Sequence, residues 1–154
     1  MPNQQIEHGT PTRLSTISSL LASRKLRVAG RRVLLHDDST SSIIMIHDGE
    51  DALFVDISLC LSTSKASLWL REGRSTVMVL GYLELTNKPL SIPEVHVHAP
   101  PVDVNPRLVL RAIVVEEARD LDLDLWNRAI QAQENASTLK RNRDRETQRT
   151  EYAV

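Results

Sequence analysis

Leu108-Val-Leu-Arg-Ala-Ile-Val-Val-Glu-Glu-Ala118 is followed almost at once by Asp120-Leu-Asp-Leu-Asp-Leu-Trp-Asn-Arg-Ala-Ile130. The first stretch has the β-branched apolar content of a strand. The second changes period. At about 100° per residue, Leu123, Trp126 and Ile130 fall on one edge of a helix, and Leu125, Ala129, Ala132 and Ala136 on the adjoining edge. Together the two edges cover roughly half the circumference, broken mainly by Gln133, whereas a helix that only leans on its own domain needs a stripe of roughly 100°. The second edge is therefore expected to meet another chain. Asp122 is placed to cap this helix and Asp124 to complement its dipole. Asp120, Asp122 and Asp124 also imitate the start of a calcium loop, but Leu125 stands where that loop requires glycine.

Upstream, the alternation of Leu26 and Val28 with Arg27 and Ala29 predicts a strand over Lys25–His36. Gly30 falls where that alternation breaks, so a bulge or bend is expected there, letting one long strand serve two sheets. Asp37–Ser42 is a turn by composition, Ile43–His47 a second strand and Asp48-Gly49 a hairpin signal. In the third strand, Ala52–Leu59, Leu53, Val55 and Ile57 face one way, and Phe54 and Asp56 the other. Ser62–Trp69 reads as a short helix or a loop, with Trp69 as a plug for one end of the core. Thr76–Leu85 alternates again, with Gly81 in mid-strand.

Residues 86–107 hold five of the seven prolines, which predicts a long extended connection, because proline cannot donate to a central ladder. Leu14–Ala22 suggests one or two helical turns. Residues 1–12 read as a flexible lead-in, 13–136 as the folded domain, and 137–154 as a charged tail, disordered or a frayed helical extension. Five strands, the first long and bent by glycine, with an insertion after the third and a C-terminal helix, match an all-β Greek-key barrel with flanking helices. That is the oligonucleotide/oligosaccharide-binding type, the OB-fold.

Composition limits the function. A hydrophobic content of 41% and a charged content of 25% suit one globular domain, and a single cysteine rules out a disulfide within one chain. Cys60, set among leucines, reads as core rather than nucleophile. No apolar run approaches the ~18 residues of a membrane span. Met1–His8 lacks a signal-peptide core. A cytosolic or nuclear location without a membrane partner is expected.

The chain carries no phosphate loop, no nucleophile elbow and no helical zinc signature, so no enzymatic activity and no cofactor are expected. His96 and His98, with Asp103 downstream, match a structural zinc site in neither spacing nor number, so no metal is expected.

Single-stranded nucleic acid needs aromatic platforms on a basic groove. Arg27, Arg31 and Arg32 either follow a phosphate backbone or form the wet face of the first strand. Phe54 and Tyr82 are either exposed platforms or a second apolar layer. With a formal net charge of -1, any intrinsic binding should be weak and salt-sensitive.

Leu26-Arg-Val-Ala-Gly-Arg31 with Val33 and Leu35, Val77-Met-Val-Leu-Gly-Tyr-Leu-Glu-Leu85, and Leu110 through Gln133 resemble the Ten subunit, the smallest subunit of the CST telomere-capping complex. The likeness runs from about Arg13 to Lys140 and is most specific at the strand-to-helix junction. It implies a single OB-fold that pairs with a Stn-type OB-fold subunit, alongside the larger CST subunit, and supports weak binding of single-stranded telomeric DNA at chromosome ends in the nucleus. It also implies partner contacts at Leu125, Ala129, Ala132, Gln133, Ala136 and Lys140. Two alternatives share the fold: the small subunit of replication protein A, and a stand-alone single-stranded nucleic-acid-binding protein.

Overall fold

A computed structural model describes residues 8–33, 42–60, 75–92, 98 and 101–153. They fall in two compact units, Met1–Leu121 and Asp122–Val154. The first is a β-barrel and the second a single helix.

The barrel unit contains β1 (Thr10–Pro11), β2 (Lys25–Arg32), β3 (Ile43–Asp48), β4 (Asp51–Asp56), β5 (Thr76–Leu85) and β6 (Asp103–Glu117). Hydrogen-bonded neighbours run β1-β2-β3-β4-β6-β5, and a further β2–β5 pairing closes the ring. Closure depends on the bend in β2. Lys25–Arg31 pairs antiparallel with β5, and Arg31–Arg32 pairs with β3, so one strand serves both halves as its glycine predicted. A Cβ at Gly30 would lie 3.0 Å from the Leu14 side chain and 3.1 Å from the His47 carbonyl, so only glycine fits this crossing without displacement. The β3–β4 hairpin turns at Gly49, whose φ of 61° suits the first loop position of a type II′ turn.

Inward side chains form the main core: Leu26 and Val28 on β2, Ile44 and Ile46 on β3, Leu53 and Val55 on β4, Val77, Val79 and Leu83 on β5, and Leu108, Leu110 and Ala112 on β6. Leu14, from a short 3-10 turn at Leu14–Thr16, joins them, and a second such turn covers Ser19–Leu21. A separate cluster of Val33, Met45, Phe54 and Val109 lies on the other side of β3, β4 and β6. Leu90, Val102 and Val104 pack against it from the β5–β6 connection and the start of β6.

The structure alters several expected boundaries. Thr10 and Pro11 pair in parallel with Leu26 and Arg27, and the Thr12 amide donates to the Arg27 carbonyl at 2.9 Å, so the end of the expected lead-in is held on the barrel. β6 begins at Asp103, inside the expected loop 86–107. Its first residues pair with Asp51 and Ala52, after which a register shift carries Pro106 out of the ladder, where its missing N–H costs nothing. The connection is tied at its roots by Thr86 N–H to the Arg107 carbonyl at 2.7 Å and Leu90 N–H to the Pro106 carbonyl at 2.8 Å.

The helical unit, α1, spans Leu123–Glu151. Of the two expectations for residues 137–154, disorder or a helical extension, it takes the second as far as Glu151. No glycine or proline interrupts those residues, which are rich in strong helix formers, and opposite charges recur at helical spacing at Lys140/Asp144 and Glu146/Arg149. The Leu34–His36 end of the first expected strand, most of the Asp37–Ser42 turn, and Trp69 with its segment lie outside the described residues.

Candidate partner and nucleic-acid surfaces

The capping of α1 follows from sequence. The Asp122 carboxylate accepts from the amides of Asp124 at 3.0 Å and Leu125 at 3.2 Å, filling two of the donors that a helix start leaves open. Leu125, Ala129, Ala132, Gln133, Ala136 and Lys140 are all exposed on α1, whereas Leu123 and Ile130 on the neighbouring edge are buried and Trp126 is half-buried.

One residue was missed. Leu139 is 59% exposed and extends the series Leu125, Ala129, Ala132, Ala136, Leu139, in which steps of four and three residues alternate. That spacing is the seam of a coiled coil. Continuing the same count one step past Ala136 finds it. At the next positions, Arg143 and Glu146, the seam turns polar.

The five residues considered for nucleic acid separate into three groups. Arg27 and Arg31 are exposed on the outer side of β2. Arg32 is buried at 5% exposure, because strict alternation puts Leu26, Val28, Gly30 and Arg32 on one side of the strand, and it is withdrawn from the phosphate-facing set. Phe54 is also withdrawn. At 2% exposure it lies in the outer apolar layer, paired with Met45 on one side and Val109 on the other, and offers no face to a base.

Tyr82 remains. It is 38% exposed on β5, with the Lys25 ammonium 5.9 Å from its ring centroid. Across β6 its partner is Arg111, whose guanidinium approaches Glu84 at 3.5 Å. Lys25 belongs to the basic run Arg24, Lys25, Arg27, Arg31 and Arg32, whereas nothing local marks Arg111, which becomes Tyr82's neighbour only through strand pairing.

Cys60 ends a 3-10 turn, Ser58–Cys60, and packs against the main core, with its thiol directed at the Ile113 carbonyl at 3.4 Å. Burial, and secondarily the negative charge of Asp56, push its pKa up, which is the reverse of what a nucleophilic thiol needs. Among the described residues no group of three His, Cys, Asp or Glu side chains is placed to hold a metal ion. His98 is exposed in a turn, and His96 lies outside the described residues. No described helix is long and apolar enough to cross a membrane.

A closed Greek-key barrel of five strands, its first strand bent between both halves, defines an OB-fold, here supplemented by a C-terminal helix and a short parallel strand. The same fold is found in the telomere capping protein Ten1 from S. pombe, with a TM-score of 0.55 and 12% identity, over 83% of this chain and 99% of that one. It recurs in the crystal structure of the S. pombe Stn1–Ten1 complex, with a TM-score of 0.55 and 11% identity, over 83% and 93%. At these identities the likeness is one of fold. No family model and no curated protein matches the sequence.

Proposed function

We propose that this chain is the Ten-type OB-fold subunit of a telomere-capping assembly, whose main task is to bind and stabilise a Stn-type OB-fold subunit through α1. Support for single-stranded telomeric DNA binding is its secondary task, and its place of action is the chromosome end in the nucleus. The observation that carries this reading is the exposed α1 seam. Leu125 and Leu139, 58% and 59% exposed, bracket three alanines at coiled-coil spacing, on a chain that shares its fold with Ten1. Small residues along such a seam allow a partner helix to approach closely, and the leucines supply apolar area at both ends.

Co-expression with a Stn-type chain, followed by size-exclusion chromatography with light scattering, tests the reading. One-to-one co-elution at micromolar concentration is expected. Separate elution overturns it, as does preferential pairing with the middle subunit of replication protein A, which would assign the chain to that complex instead.

A further inference from the structure

We propose that single-stranded nucleic acid binds this chain on the outer face of β2, β5 and β6, with one base stacked on Tyr82 and the phosphates held by Lys25, Arg27 and Arg111. The proposal rests on the reading of the chain as a nucleic-acid-associated subunit and locates the surface that does the work. OB barrels ordinarily take oligonucleotides on the face of their second and third barrel strands, beside the loops joining strands one to two and four to five. In this chain that face is the outer side of β3 and β4, and the protein's own side chains fill it. Met45, Phe54 and Val109 are 0%, 2% and 6% exposed, beneath Leu90, Val102 and Val104. A base would have to displace that layer to reach Phe54.

Among the described residues the β2–β5–β6 face is open at the Tyr82 row, where Tyr82 is 38% exposed, whereas Ala29, in the row of Met78 and Glu116, is buried at 3%. Register places Lys25 opposite Tyr82 and Tyr82 opposite Arg111, so an aromatic ring stands between two cations in one row across three strands. The next row is Arg27, Leu80 and Val114. Both rows are outward, since Leu26, Val28, Val79 and Leu83 from the same strands occupy the main core. Gly9 lies against the Leu80 side chain and partly covers the second row, which leaves the Tyr82 row as the platform.

Among the described strand residues, the charged groups facing outward here are Lys25, Arg27, Arg31 and Arg111, against Glu84 and Glu116. The Arg111–Glu84 pair is 3.5 Å apart with both side chains about half exposed, so its arginine can turn to a phosphate at little cost. One ring and a few cations give weak binding, tolerant of base identity, because every base has a face to stack.

The test uses the 154-residue chain and a fluorescein-labelled oligothymidylate of about 12 nucleotides, a length within the range an OB-fold covers. Anisotropy is followed between about 50 and 200 mM salt. Tyr82→Ala is expected to weaken binding by about tenfold or more, and Tyr82→Phe to retain it. Lys25→Gln and Arg27→Gln should each flatten the slope of log affinity against log salt by about 0.7. Phe54→Leu, which keeps the outer layer filled, should bind like the parent chain.

Parent-like binding by Tyr82→Ala overturns the proposal. So does loss of binding in a folded Phe54→Leu, or absence of parent binding up to the roughly 100 μM expected of non-specific contacts. If Tyr82→Ala instead abolishes co-elution with the Stn-type chain and leaves oligothymidylate affinity unchanged, the face belongs to a protein partner. Because pairing is read by chromatography and nucleic acid by anisotropy, either reading can fail without the other.

Discussion

Met45 and Phe54 stand opposite each other across the β3–β4 hairpin on the outer side of the barrel, and both are buried. An outward row on a small barrel normally meets water. Here it forms a second apolar layer because Val109 extends the row on β6 and Val102 and Val104 close over it. Phe54→Ala should therefore destabilise the chain by about 3–5 kcal/mol. Tyr82→Ala, at a half-exposed site, should stay within about 0.5 kcal/mol. Urea unfolding of both variants checks the contrast, and equal midpoints would mean that the outer layer is not packed as described.

Gly81 marks a second dependence on close contact. It sits at the register shift where Leu80 pairs with Val114 and Gly81 with Ala112, leaving Ile113 as the extra residue of a β-bulge. A Cβ at Gly81 would overlap the Arg111 carbonyl, which is backbone and cannot swing away. Gly81→Ala should cost about 1–3 kcal/mol or more through strain in the β5–β6 pair. Gly49→Ala meets no neighbour and carries only the penalty of its positive φ, about 1–2 kcal/mol. Thermal melts that rank Gly49→Ala as the more damaging change would count against this bulge.

On α1 the prediction separates pairing from folding. Ala129→Glu places a charge in the seam and should abolish co-elution with a Stn-type chain while leaving the melting temperature of the isolated chain unchanged. Leu139→Ala should weaken pairing, whereas Glu146→Ala, beyond the apolar part of the seam, should not. If Ala129→Glu unfolds the isolated chain, that edge serves the chain's own packing instead of a partner.

Cys60 supplies a pH prediction. Its folded-state pKa is raised, first by burial and then by Asp56, so the neutral thiol is favoured in the native state. The associated stability is fully present below the ordinary thiol range and is lost as pH rises through the folded value. Alkylation by iodoacetamide near neutral pH should be slower in the native chain than in urea, with the difference closing as pH climbs. Equal rates would show an exposed thiolate.

Much of the barrel was legible because its signals are local. Alternation in Lys25–Arg31 and Thr76–Leu85, the Asp48-Gly49 turn and the Asp122 cap each depend on a few neighbouring residues, and each is where the sequence placed it. Arg32 shows the same logic left unfinished, since carrying the alternation one step past Gly30 puts it on the core side. The C-terminal helix outruns its apolar periodicity because its last turns keep strong helix propensity and contain no breaker, which is why disorder and a helical extension both stayed open from sequence.

From sequence alone follow the five barrel strands in outline, the bend at Gly30, the cap at Asp122 and the apolar edge of α1, all set by backbone preference and side-chain period over short spans; the short β1 does not. Tertiary structure alone decided which aromatic is a surface. Phe54 and Tyr82 have equivalent strand contexts, yet Phe54 meets Val109, Val102 and Leu90 from far along the chain and is covered, while Tyr82 meets Lys25 and Arg111 and stays open. The physical reason is that alternation fixes only the side of a sheet a residue takes, and what lies on that side depends on strands and connections paired at long range.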